Sequence, residues 1–300
     1  MPLNIFWTPN GITLDSIRDK RLVDISDGDT PNIRMNVRML SIDTPEKNPT
    51  GKIRNRVELQ AMFEEVATWI ESGDSPVKPA LAAHLVPRLK RGDAVANHLA
   101  QGAQATAAHE GLVATKLRRP TGSVRPLFVR VADQRFDRYG RLLAYVAPSY
   151  TAKERRTMTR RERATFNFFM IENGWAAPFI LFPSIPGELD LPMVQEAGHE
   201  AVTQGKGAWA DANLLTGYEF RSCERLAALK KKQNGGRNLS SSEWFSWISR
   251  YCCDMSTGAL YSPQDYCLVS PENRIFIWKD DVRRAVAELN LTPSDSLVGV

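Results

Sequence analysis

No cysteine precedes position 223, and the four present, Cys223, Cys252, Cys253 and Cys267, include no C-x-x-C pair. The nearest histidine in sequence is His199, so the spacing argues against a structural zinc site and for buried free thiols. Histidine is also scarce, with four in 300 residues. His84, His98 and His109 lie in an Ala-rich stretch with no acidic partner pattern and read as core or surface residues. No apolar run approaches the roughly eighteen residues of a membrane span, so a membrane partner is not expected. The opening "MPLNIFWTPNGITLDS" lacks the charged and apolar regions of a signal peptide. If Met1 is the native start, the expectation is a cytoplasmic protein; secretion stays open for a chain whose leader has been removed. Neither sign of charge dominates: 39 Lys and Arg against 34 Asp and Glu leave a net charge of +5. That mild excess fits a polyanionic partner such as DNA or RNA.

What the chain does have is 43% apolar residues, enough for a sizeable core, in a length that suggests about two domains. "RLVDIS" reads as a strand, "DGDT" as a turn, and "NIRMNVRMLSI" as one or two short strands ended by "TPE". Apolar residues at 59, 62, 63, 66, 69 and 70 have helical spacing. Residues 80–117 read as two further helices interrupted by glycines. "PLFVRVAD" and "LLAYVAP" flank the turn "DRYGR" as a hairpin. "RATFNFFMIENGWA" and "LPMVQEAGHEAVTQGKGAW" are helical, as are "SSSEWFSWISRYC" and "KDDVRRAVAELNL", with "NRIFIW" a strand between them. The sum is α+β.

The stretch "DGDTPNIRMNVRMLSIDTPE", residues 27–46, gathers four carboxylates and two arginines. Asp29 and Asp43 offer hard oxygen ligands with no His or Cys beside them, which favours Ca²⁺ or Mg²⁺ over zinc or copper. Arg38 and Asp43 are five residues apart and would face opposite ways in a regular strand, so at least one belongs at a strand end. Glu46 is placed for a general base on a metal-proximal water, and Arg38 for phosphate oxygens.

"DGDT", "RMLSIDTPE" and "DRYGRLLAY" (137–145), followed by "ENGWA" and "GKGAWA", resemble the staphylococcal nuclease (thermonuclease) family over residues 20 to about 211. The resemblance implies a five-stranded OB-type β-barrel with packed helices and Ca²⁺-dependent hydrolysis of DNA or RNA, without a small-molecule cofactor. It makes Asp29 and Asp43 metal carboxylates and Thr44 a ligand through its carbonyl. Asp27 falls just outside the metal shell. Arg38 and Arg141 become the phosphate clamp and Glu46 the general base. Tyr139 and Arg138 fall near a terminal phosphate. Phe179 or Phe182 stands where the family stacks a base on tyrosine.

The resemblance leaves two stretches unaccounted for. Residues 53–100 read either as a helical insertion or as a displaced first helix followed by one. Residues 214–300 read as a small accessory domain beside a nuclease-like unit at 1–213, so ending the chain after Asn213 should keep the chemistry. Two basic runs, 151–165 and 221–238, each hold six Lys or Arg. They read as solvated faces or as an electrostatic track for nucleic acid. The aromatics Trp244, Phe245, Trp247 and Tyr251 read as a small core. Three functions stay open: a Ca²⁺-dependent nuclease, a catalytically weak or inactive nucleic-acid-binding module on the same fold, and a nuclease governed by its tail.

Overall fold

The computed structural model describes residues 19–298. Two short strands, β1 (Arg21–Asp27) and β2 (Thr30–Arg34), form a hairpin around the Asp-Gly turn. They are followed by β3 (Val37–Met39) and β4 (Ile42–Asp43). Asn55 then caps α1 (Arg56–Glu71), its side chain accepting from the amides of Val57 and Glu58. The helices α2 (Pro79–Leu89) and α3 (Ala94–Leu117) complete a helical block, broken near Gly92 as the sequence predicts. The hairpin β5 (Leu127–Phe136) and β6 (Leu142–Pro148) leads to α4 (Ala152–Thr157) and α5 (Phe166–Glu172). Strands β7 (Ala177–Pro178) and β8 (Ile180–Leu181) precede α6 (Leu191–Thr203).

The last part of the chain contains α7 (Gly217–Asn234), α8 (Ser241–Trp244), β9 (Tyr251–Asp254), β10 (Ala259–Tyr261), β11 (Arg274–Ile277), α9 (Val282–Leu289), β12 (Thr292–Pro293) and α10 (Asp295–Val298). "SSSEWFSWISRYC", expected as one helix, gives only the four residues of α8 before Tyr251 enters β9. Pairing of Cys252 and Cys253 with Phe276 and Ile275 overrides the helical spacing.

The expected five-stranded barrel does not close among the described residues. Its strands are divided between the two-stranded sheet β1–β2 and a three-stranded sheet of order β3-β6-β5. Strand β3 has only three residues and pairs with β6, and as the edge of its sheet it has no partner strand on its other side among the described residues. Leu22, Val23, Ile25 and Ile33 of the hairpin stay exposed, as do Leu127, Phe128, Val129 and Val131 of β5.

One hydrophobic cluster crosses the expected boundary after residue 213. Leu59, Phe63, Trp69 and Leu85 of the helical block share it with Phe220, Leu226, Trp247, Tyr266 and Phe276. Phe63 meets Phe220 edge-on with ring centroids 5.5 Å apart, and Trp69 meets Trp244 at 5.6 Å. The five-stranded sheet of order β12-β10-β9-β11-β8 likewise draws its edge strand β8 from the nuclease-like region. Cys223, Cys252 and Cys253 are buried free thiols, as the sequence predicts, whereas Cys267 is free but only half-buried.

Candidate functional site

Asp43 ends β4, the loop from there to α1 carries Thr44 and Glu46, and two helices hold this segment. Between β3 and β4 the chain reverses through Ser41, whose φ of 59° is left-handed. That turn resolves the five-residue spacing: Arg38 Nη2 donates to Ile42 O at 3.3 Å and to Asp43 Oδ1 at 3.1 Å. Asp43 is 1% exposed. Its second partner is Arg221 of α7, whose Nη2 reaches Oδ1 at 3.0 Å and Oδ2 at 2.9 Å. Arg221 Nη1 also donates to Glu46 Oε1 at 2.6 Å. Burial pushes the Asp43 carboxyl up, but Arg221 and Arg38 outweigh it and hold it below its usual value. Burial likewise opposes the charge on Arg221, and Asp43 and Glu46 outweigh that and raise its pKa. The three side chains form a charged knot.

The loop is gripped closely from both sides. A Cβ at Gly217, the first residue of α7, would lie 2.5 Å from Thr44 O and 2.6 Å from Asp43 Oδ2. A Cβ at Gly102 of α3 would lie 2.3 Å from Glu46 O. Only glycine allows these two helices so near the loop. One turn beyond Arg221, Glu224 accepts from the amides of Thr50 at 2.7 Å and Gly51 at 2.9 Å. His98 joins the two sides: its Nε2 accepts from Glu46 N at 2.9 Å and its Nδ1 donates to Leu215 O at 3.0 Å. The ring stacks on Phe220 at 3.8 Å. Burial pushes His98 down to about 3, so it is neutral near pH 7.

That shift has a sign. Between the folded pKa of about 3 and the unfolded value of about 6.5, the unfolded chain binds the extra proton, so stability rises with pH. The contribution is complete above about pH 6.5 and is lost as pH falls toward 3, by an amount on the order of a few kcal/mol. Urea unfolding at stepped pH should show this slope, and His98→Gln should flatten it between about pH 6.5 and 4. An unchanged slope in the variant would place the acid sensitivity elsewhere.

The other expected site residues lie apart from this loop or face inward. Asp27 and Asp29 are exposed at the β1–β2 turn, where Thr30 Oγ1 donates to Asp29 Oδ1 at 3.1 Å. Hydrogen bonds from Thr30 and then Asp29 hold Asp27 below its usual pKa. Phe182 is 3% exposed and Phe179 9%. Phe182 packs in the core beside β8, and Phe179 lies 4.7 Å from Phe276. Base stacking on either is therefore corrected to a core role. Arg138, Tyr139 and Arg141 share the β5–β6 turn. Arg141 Nε donates to Asp137 Oδ2 at 2.7 Å, and the Arg138 guanidinium lies 4.9 Å from the Tyr139 ring centroid. Tyr139 is 56% exposed. Pairing of β3 with β6 sets Arg38 level with Leu143, two residues beyond Arg141.

As arranged, Asp29, Asp43 and Thr44 do not fit a calcium ion. Both Asp43 oxygens are taken by guanidinium donors, Gly217 lies against the Thr44 carbonyl, and Asp29 sits on a separate hairpin. Among the described residues no group of three or more His, Cys, Asp or Glu is placed to hold a metal. Most of the basic run 221–238 is ion-paired, Arg221 with Asp43 and Glu46, Lys231 with Glu58, and Lys232 and Arg237 with Glu243, while Arg225 donates to Trp247 O at 2.7 Å. In the run 151–165, Arg160 and Arg161 are paired, while Lys153, Arg155, Arg156 and Arg163 are exposed.

A short β3-β6-β5 sheet, its arginine-bearing turn and an acidic loop beside a buried strand end make up the candidate site of this α+β protein. The family model described as staphylococcal nuclease homologue matches residues 36–211, and the chain belongs to that family. Such domains serve as nucleases or nucleic-acid binders, and the family is generally Ca²⁺-dependent. No curated protein matches the chain. The matched span includes Arg38, Asp43, Glu46 and Arg141 but ends before Arg221.

Proposed function

We propose that this chain binds DNA or RNA, and that phosphodiester hydrolysis is withheld in the conformation described. Arg221 carries the reading. It ties up the buried carboxylate of Asp43 and the carboxylate of Glu46, the group that would have to be free to take a proton from water. Binding needs neither. At the β5–β6 turn Arg138 and Tyr139 are exposed and Arg141, half-buried and paired with Asp137, stands beside them, so guanidinium donors for phosphate lie next to an aromatic face. Arg155, Arg156 and Arg163 extend the positive surface in sequence.

A second reading is an active Ca²⁺-dependent nuclease, with Arg38, Glu46 and Arg141 as catalytic groups and Asp29, Asp43 and Thr44 as ligands. It is favoured by Arg38 of β3 meeting Asp43 at the end of β4, three residues before Glu46.

Fluorescence anisotropy with labelled single-stranded DNA, duplex DNA and RNA, in EDTA, separates the two. Binding should persist without divalent cations and weaken with salt. Arg138→Ala with Arg141→Ala should lower affinity about tenfold or more and reduce the log–log salt slope by about 1.4 to 1.8, for two phosphate contacts. The unaltered chain should not digest these substrates in Ca²⁺ or Mg²⁺. Ca²⁺-dependent cleavage by the unaltered chain would establish the second reading instead, and absence of binding to all three in EDTA would overturn the first.

A further inference from the structure

The residues best suited by chemistry to hold a divalent cation are covered by a helix that lies wholly outside the span matched to the family. Three contacts on successive turns of α7 do this. Gly217 lies against Thr44 O and Asp43 Oδ2. Arg221 bridges Asp43 and Glu46. Glu224 takes the amides of Thr50 and Gly51. Behind them His98 ties the Glu46 amide to Leu215, two residues before the helix begins. The helix start is itself fixed, since Thr216 and Glu219 form a reciprocal cap and Glu219, buried, meets His84 Nε2 at 2.8 Å.

The charges balance. Two carboxylates, Asp43 and Glu46, face two guanidiniums, Arg38 and Arg221. Adding a divalent cation to that neutral set would leave two uncompensated positive charges in a partly buried site, and repulsion from Arg221 would oppose it. Taking Arg221 away leaves a net negative site with a carbonyl beside it, and hard oxygen donors of that kind select Ca²⁺.

Resting on the reading that hydrolysis is withheld, we propose that α7 is a built-in cover, with the Arg221 guanidinium standing in the place of a divalent cation. Asp43, Glu46 and the Thr44 carbonyl then take up Ca²⁺ only when that helix is moved or its arginine removed. Gly217 gives a second handle, because a methyl there must push the helix off Thr44 without altering any charge.

The test is Ca²⁺ binding to the full-length chain, by calorimetry and by thermal unfolding with and without Ca²⁺. The unaltered chain should show no saturable Ca²⁺ heat and no shift in midpoint. Arg221→Ala and Gly217→Ala should each gain Ca²⁺-dependent stabilisation, a rise of about 5 °C or more at about one hundred times the dissociation constant. Saturable Ca²⁺ binding by the unaltered chain would overturn the proposal even if both variants failed to fold. Folded variants that ignore Ca²⁺ would overturn it too. Either failure would leave binding of nucleic acid in EDTA intact, whereas loss of that binding would count against the proposed function and not against the cover.

Discussion

Ending the chain after Asn213 should abolish cooperative unfolding. The cut removes Phe220 from Phe63, Trp244 from Trp69, and Tyr218 and Phe276 from Phe179. Uncovering Phe63, Trp69 and Phe179 alone costs about 1.5–3 kcal/mol each. The sum, about 4.5–9 kcal/mol, is comparable to the entire 5–15 kcal/mol margin of a typical domain. The same cut strips Arg221 from Asp43 and takes β11 away from β8. Near-ultraviolet circular dichroism should therefore be weak in residues 1–213, with a broad melt and strong binding of a hydrophobic dye. A sharp transition close to that of the full chain would show that residues 1–213 fold alone, as sequence reasoning expects of them.

Asp43→Ala should cost about 3–5 kcal/mol, the range for removing one partner of a buried ion pair. The carboxylate is 1% exposed and accepts from two guanidiniums, so its loss leaves Arg38 and Arg221 without the counter-charge they share. Arg221 is 23% exposed and Arg38 32%, which lets water relieve part of the repulsion and favours the lower end of that range. Asp43→Asn, which keeps the shape and one acceptor, should lose less. Denaturant midpoints at constant slope would read the difference. A loss under about 1 kcal/mol for the alanine variant would mean that the knot contributes little to folding.

The parts of this structure that local pattern controls were legible in the sequence. Apolar residues at 59, 62, 63, 66, 69 and 70 become the buried stripe of α1. "DRYGR" becomes the turn between β5 and β6, with Asp137 accepting the amides of Tyr139 and Arg141. The convergence of Arg38, Asp43 and Glu46 followed from their spacing once a turn was allowed between the first two. Arg221 was not legible. It sits in a run of Lys and Arg that reads as a solvated face, and its partners are 175 and 178 residues away. His98 carries no nearby acidic signal because it is neutral and bonds to backbone. Phe182 was misread because its neighbours in β11 lie some ninety positions further on and determine its burial only through the sheet. Long-range pairing decides these positions, and one-dimensional periodicity does not contain it.

The place of β8 at the edge of the last sheet has a consequence for the chain during its synthesis. Ile180 and Leu181 pair with Ile275 and Phe276, so the ribosome must deliver nearly the whole sequence before that strand finds its neighbour. Until then an apolar segment waits with an open edge, exposed to other nascent chains. Expression yield should thus respond to translation speed and chaperone supply over the final stretch, and slow codons placed shortly before position 274 should lower it.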